Sequence, residues 1–318
     1  TAISCILSDN NISNIIWCYD EETLIDINEN HQNSLFLPGI ILNPNTKATN
    51  NFADLNDCDI IILATPTQFL RQTIENCKDL IKSKKIINVS KGIEIGTMNR
   101  ISQILEEVCQ IDLQNYAVLT GPSHAEEVAL KKATTVVVAS ENLAYAQEIQ
   151  KIFSNKYFRV YTSSDIIGCE IGGALKNVIA VATGIIEGGK YGDNAKAAIF
   201  TRGMVEISRL AVAMGANYNT IFGLSGIGDL YVTCSSALSR NWRVGNRLGK
   251  GEKLQDIMKN MKTVAEGVHT TRSAFQLSQK YNIDMPIITQ MYKILFENSS
   301  SEIAMQELMN RQKKHEWI

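Results

Sequence analysis

Six short apolar runs in the first half constrain the fold more than anything else in the chain. They lie at Ile15–Trp17, 59–65, 85–90, Tyr116–Thr120, 135–139 and 157–161. They are apolar nearly throughout rather than alternating, which is the pattern of a strand covered on both faces. Helical patterns lie between several of them, for example at 67–82 and 99–109. Strand and helix in alternation predict an α/β fold with a doubly wound, mostly parallel sheet. Such sheets bind ligands at the carboxyl ends of their strands. From about Ser164 the chain turns to helical pattern with glycine punctuation. There Leu175, Val178, Ile179, Ala182 and Ile186 share one helix face, and Lys176, Thr183 and Glu187 another. Long helices are expected at 195–214 and 264–281.

The chain has 318 residues, enough for two domains. The expected division is 1–163, a dinucleotide-type sheet domain, and 164–318, an all-α domain that binds substrate. The turn Ser163-Ser164-Asp165 is short, so the two should pack closely. A net charge of -2 argues against nucleic acid as a partner. The seven cysteines form no C-x-x-C pair and the four histidines have no ligand spacing, so neither a metal nor a disulfide framework is expected. That cysteine usage suits the reducing cytoplasm. No apolar run approaches the ~18–20 residues of a membrane span, and no signal segment stands at Thr1.

A dinucleotide-binding domain normally opens with a strand, a G-x-G-x-x-G turn and a helix. Here residues 1–8 read as a helix already under way, and the next strand ends at Trp17. Either the sequence lacks its first ~15 residues or the domain does not hold a dinucleotide in the usual way. The rest of the chain favours the first. The sheet is therefore expected to lack its first strand, and this stretch alone to bind cofactor poorly.

Residues 223–241 carry the densest chemistry. Asp229 follows the glycine-rich bend Gly223-Leu-Ser-Gly-Ile-Gly228, and Ser239-Arg240-Asn241 comes one loop later. A buried carboxylate needs a partner. A Ser-Arg-Asn cluster has donors enough for a phosphate dianion. The competing reading is a helix-capping Asp and a surface Arg.

Further strings stand in order along the chain. They are Ser90-Lys91-Gly92-Ile93-Glu94, Thr120-Gly121-Pro122-Ser123-His124-Ala125-Glu126-Glu127, and Gly172-Gly173-Ala174-Leu175-Lys176-Asn177. Asn194-Ala-Lys-Ala-Ala, Thr201-Arg202-Gly203, Val264-Ala265-Glu266-Gly267 and Met285-Pro286-Ile287 follow. With these and 223–241 the chain resembles the bacterial-type NAD(P)-dependent glycerol-3-phosphate dehydrogenases, from Thr1 to about Arg311. It departs at the start: of the family's G-x-G-S-W/Y-G-T-A turn, Thr1-Ala2 matches the last two letters.

The resemblance implies hydride transfer between a nicotinamide cofactor and C2 of dihydroxyacetone phosphate, giving sn-glycerol 3-phosphate for glycerophospholipid synthesis. Lys176 is then the general acid, and the base in reverse. Lys91 would supply a second cation that lowers its pKa. Asp229 would orient Lys176 or bind a substrate hydroxyl, with Thr233 one turn away sharing the contact. Ser239, Arg240 and Asn241 would hold the phosphate, and Gly121 and Ser123 would face the substrate or nicotinamide. Cofactor contacts are implied for Tyr19, Phe69, Lys91, Ala125, Arg240, Val264 and Glu266. Tyr19 stands where many relatives carry a basic residue. With Asp20 beside it to accept a ribose 2′-OH, this tilts the expectation to NAD over NADP. Asp20 reads equally as a turn residue. A homodimer is a further expectation.

Other strings are weaker. Residues 245–251 suggest a P-loop, but the glycine spacing is short and no Ser or Thr follows Lys250. Ser123-His124 lacks a nucleophile turn, so His124 reads as a helix start. Glu126 and Glu127 read as first-turn charge. Residues 97–107 and 252–262 read as solvated amphipathic helices. The rival enzyme is a two-domain dehydrogenase of the β-hydroxyacid type. The rival non-enzyme is an impaired homologue that only binds.

Overall fold

The computed structural model describes residues 1–261 and 264–316. The strands are β1 (Ile15–Trp17), β2 (Gln32–Asn33), β3 (Leu37–Ile41), β4 (Lys47–Thr49), β5 (Ile60–Leu63), β6 (Lys85–Asn88), β7 (Tyr116–Thr120), β8 (Thr134–Ala139) and β9 (Phe158–Ser163). The first helices are α1 (Ala2–Asp9), α2 (Glu21–Asn30), α3 (Thr67–Glu75), α4 (Lys78–Lys82), α5 (Ile101–Cys109), α6 (Ala125–Ala129) and α7 (Leu143–Phe153). Beyond β9 come α8 (Ile166–Gly188), α9 (Asp193–Ala213), α10 (Tyr218–Ile221), α11 (Asp229–Ser235) and α12 (Arg240–Gly249). The last are α13 (Leu254–Lys259), α14 (Glu266–Lys280), α15 (Pro286–Phe296) and α16 (Ser301–Met309).

All six expected strands are present. Five form one sheet in the order β5-β6-β7-β8-β9, parallel except where β8 runs antiparallel to β7. β1 pairs in parallel with β4, and among the described residues no ladder joins that pair to the five-stranded sheet. Helices cover both faces: Leu70, Ile74, Ile104 and Leu105 pack on one, and Ile6, Tyr145, Ile149 and Phe153 on the other. That two-sided cover is why the strands carry no polar alternation.

Several expectations are corrected. The helix expected over 67–82 breaks at Asn76–Cys77, two poor helix formers, into α3 and α4. Residues 97–107 are not a solvated helix, since α5 starts at Ile101 and buries Ile101, Ile104 and Leu105. Of 252–262, only Leu254–Lys259 is helical, and it buries Ile257; Lys262 lies outside the described residues. The hairpin β2–β3 and strand β4 are too short for a periodicity to reveal.

The largest correction concerns α8. It was expected to show one apolar and one polar face, but it is buried all round; only Ile167 and Glu187 escape. By length and composition it would even qualify as a membrane span, against the reading that no run comes close. It is instead the central helix of the second domain, packed against α9, α11, α12 and α14. Its closest neighbour is α12, and glycines make that approach possible. A Cβ on Gly184 or Gly188 would strike the carbonyls of Trp242 and Asn246. One on Gly245 or Gly249 would strike those of Val181 and Ile185. The glycine spacing that resembled a P-loop is thus a helix-packing surface.

Candidate active site

Three elements bring charge to one buried point. Lys176 projects from the middle of α8. Asp229 opens α11, directly after a π-type turn at Leu224–Gly228. Lys91 lies just past β6, in a stretch without regular structure. The Lys176 Nζ donates to Asp229 Oδ1 at 2.7 Å and to Thr233 Oγ1 at 2.7 Å. The Lys91 Nζ donates to Asp229 Oδ2 at 2.6 Å and to the Gly121 carbonyl at 3.1 Å. One carboxylate therefore bridges two ammoniums. Each ammonium has three N–H donors and spends two on protein, so each keeps one for a ligand oxygen.

Burial sets the electrostatics. The Asp229 side chain is 1% exposed and that of Lys176 9%. Burial pulls the Lys176 pKa down to about 8; the Asp229 charge opposes this and the Lys91 charge adds to it. Burial pushes the Asp229 carboxyl up, but the two ammoniums outweigh it and hold the group below its usual range. The site so holds a lysine able to give or take a proton near neutrality.

Gly121 is at the carboxyl end of β7 with φ +141°, and a Cβ there would crowd the Val136 backbone. The sharp exit aims its carbonyl at Lys91. Ser123 Oγ donates to that same carbonyl at 2.9 Å. His124 precedes α6 as expected, with its ring beside the Val232 carbonyl.

Ser239, Arg240 and Asn241 form the N-terminus of α12. Ser239 Oγ caps the helix, accepting from Trp242 N at 3.2 Å. Arg240 opens to solvent and has no hydrogen-bonded partner among the described residues. Surrounding protein still lowers its pKa, against the charges of Glu266 and Glu126. A spare guanidinium at a ten-residue helix N-terminus is a strong anion site. Asn241 is more committed than expected. Its Nδ2 donates to Asn177 Oδ1 at 2.8 Å, and its Oδ1 accepts from Gly267 N at 2.9 Å.

The residues present fit a dinucleotide along the carboxyl ends of β5 to β7. Glu266 Oε1 accepts from Thr67 N at 2.8 Å, joining α14 to the start of α3. Glu266 Oε2 and Thr67 Oγ1 are both buried without a hydrogen-bond partner among the described residues. They meet beside Gly92, where a Cβ would fill the space between them. Burial raises the Glu266 pKa to about 6, opposed by the Thr67 N–H and the Arg240 charge. Orphaned polar atoms lining a cradle are what a polar ligand completes. Phe69 and Ala125 present exposed surface on α3 and α6. Val264 leads into Glu266.

The structure thus unites Lys91, Gly121, Lys176, Asp229 and Thr233, and a second group around Arg240 and Glu266. Tyr19 stands apart, 92% exposed past the end of β1. Asp20 caps α2, its Oδ2 accepting from Thr23 N and Oγ1. Thr67 and Asn177 were not assigned from sequence. Thr67 had no signal, because its partner is 199 positions away. Asn177 had one, being a polar residue next to Lys176 on a largely apolar helix.

A doubly wound sheet domain, a helical domain and a buried lysine–carboxylate centre between them define a two-domain dehydrogenase. Comparison with known proteins narrows this. Residues 1–146 match the family described as NAD-dependent glycerol-3-phosphate dehydrogenase N-terminus, and 165–306 its C-terminus. Glycerol-3-phosphate dehydrogenase (NAD(P)+) of Bacillus pumilus is 49% identical over 99% of this chain and 92% of its own. That of Bacillus subtilis is 47% identical over the same shares. The crystal structure of glycerol-3-phosphate dehydrogenase from Coxiella burnetii superposes with a TM-score of 0.92 at 32% identity, covering 98% of this chain and 95% of that one. The chain belongs to the NAD-dependent glycerol-3-phosphate dehydrogenase family. The β-hydroxyacid rival is thereby set aside.

Proposed function

We propose that the protein interconverts dihydroxyacetone phosphate and sn-glycerol 3-phosphate, with Lys176 moving the proton. The observation that carries this is the pair of ammoniums held on one buried carboxylate, each with a donor to spare. The nicotinamide cofactor, when bound, supplies or accepts the hydride at C2. Lys176 then protonates the nascent C2 alkoxide, and as the neutral amine takes the hydroxyl proton in reverse. Asp229 and Thr233 hold the Lys176 Nζ in place, while Lys91 keeps its pKa low and turns its spare N–H to a substrate oxygen. Arg240 binds the phosphate, helped by the α12 N-terminus with Ser239 and the remaining Asn241 N–H. Gly121 and Ser123 border the substrate. Phe69, Lys91, Ala125, Arg240, Val264 and Glu266 line the dinucleotide.

The proposed division falls between β9, which ends at Ser163, and α8, which starts at Ile166. NAD is the proposed preference over NADP. Past β1 the chain presents Tyr19, Asp20, Glu21 and Glu22 and no cation, a charge pattern that opposes a 2′-phosphate. The seven cysteines are all free, which suits a reducing compartment and the product's use in phospholipid synthesis there.

The test is oxidation of NADH on addition of dihydroxyacetone phosphate. Turnover of a sugar acid, with none on dihydroxyacetone phosphate, overturns the substrate assignment. Fluorescence titration with NADH and NADPH tests the preference, which fails if NADPH binds as tightly.

A further inference from the structure

Glu170 rides on α8 ahead of Lys176, about 9 Å away along the axis at the usual helical rise. Its side chain is 3% exposed, and among the described residues its carboxylate hydrogen-bonds only to the sheet domain. Oε1 accepts from Ser102 N at 2.9 Å and Tyr116 OH at 2.6 Å. Oε2 accepts from Ser102 Oγ at 2.7 Å and Arg100 Nη1 at 2.5 Å.

The donors are not scattered. Arg100 closes the irregular stretch that carries Lys91 near its beginning. Ser102 is in the first turn of α5, which fixes that stretch's far end. Tyr116 opens β7, and the other end of β7 leads to Gly121, the carbonyl that holds Lys91. One carboxylate on the helix of Lys176 therefore grips both pieces of the sheet domain that place Lys91. Lys176, Asp229 and Thr233 all come from the helical domain, so Lys91, with the Gly121 carbonyl that holds it, must be delivered across the junction.

A buried ion pair is a poor way to gain stability, because apolar packing of the same volume often does as well or better. It does specify direction, since each hydrogen bond has a geometry that apolar contact lacks. We propose that Glu170 is a positioning residue that sets α8 against the sheet domain and so brings Lys91 onto Asp229 beside Lys176. The proposal rests on the reading that Lys176 moves the proton. With the grip loosened, Lys91 withdraws and Lys176 loses its neighbouring cation. Asp229 and Cys234 from α11, and His124 from the sheet domain, remain around it.

The experiment compares Glu170→Gln, Tyr116→Phe and Ser102→Ala with the unaltered enzyme, by steady-state kinetics across pH and by thermal denaturation. For Glu170→Gln, kcat for reduction should fall about fivefold or more, and the KM for dihydroxyacetone phosphate should rise as Lys91 leaves the substrate oxygen. The midpoint of its alkaline limb should rise by about half a pH unit. Tyr116→Phe and Ser102→Ala should shift the midpoint the same way by less. A folded Glu170→Gln with unchanged kcat and midpoint overturns the proposal, even if its melting temperature drops, because the role is then structural only. Should Glu170→Gln fail to fold, unmoved midpoints in both other variants overturn it. Failure of the underlying reading shows separately, as a Lys176→Met enzyme that keeps its rate.

Discussion

Lys176 and Asp229 face each other across 2.7 Å, one from the middle of the central helix and one from the first turn of α11. Both are almost wholly buried. The pair is useful because it is incomplete. Burial draws the Lys176 pKa down, the Asp229 charge opposes this, and Lys91 on the same carboxylate adds to the lowering.

Removing the amine tests this directly. Lys176→Met should lower kcat at least ~100-fold while the protein stays folded, since Asp229 keeps Lys91 as a partner. Steady-state rates with circular dichroism as a control check it. A near-wild-type rate removes Lys176 from its role.

The pH profile should follow the state of Lys176. Reduction needs the ammonium, so its rate should hold level below pH about 8 and fall above. Oxidation of glycerol 3-phosphate needs the free amine and should rise through the same midpoint. Lys91→Gln removes the neighbouring cation and should move both midpoints upward. Profiles of kcat against pH in both directions decide the matter; a downward shift in the variant contradicts it.

Asp229→Asn leaves two ammoniums buried without their counter-ion. Breaking a buried pair in this way costs about 3–5 kcal/mol. Urea unfolding should show a loss of that order, whereas a loss under ~1 kcal/mol, ordinary for an exposed pair, means the cluster is wetter than its burial indicates.

Arg240 should matter for the phosphate and not for the carbonyl. Arg240→Gln removes a charged donor worth about 1.5–3 kcal/mol, roughly ten- to a hundredfold in kcat/KM. At saturating cofactor, which offsets the contact proposed between Arg240 and the dinucleotide, the loss should appear with dihydroxyacetone phosphate and be largely absent with dihydroxyacetone. Equal losses with both substrates place Arg240 elsewhere.

The glycine surface between α8 and α12 makes a structural prediction. Gly245→Ala puts a methyl against the Val181 carbonyl and should cost at least ~1–3 kcal/mol through forced separation of the helices. A lowered melting temperature checks it; an unchanged one means the helices have room that their contact does not show.

What the sequence by itself determined is local. The strands were legible because burial on both faces leaves an apolar run, and the long helices because their apolar residues recur with the helical period. Lys176 and Asp229 could be singled out because each is a charged group in an apolar or glycine-rich setting, and Ser239-Arg240-Asn241 because it gathers donors enough for a phosphate. The tertiary structure decided how they meet. Lys91 and Asp229 are 138 positions apart, and Thr67 and Glu266 are 199 apart. No period links such pairs, because the packing of two domains sets their approach. The same packing turned α8 from an apparent amphipathic helix into one buried all round, and gave Gly245 and Gly249 a partner helix in place of a phosphate. Periodicity records which side of an element is covered, but the covering surface is itself a product of the whole fold.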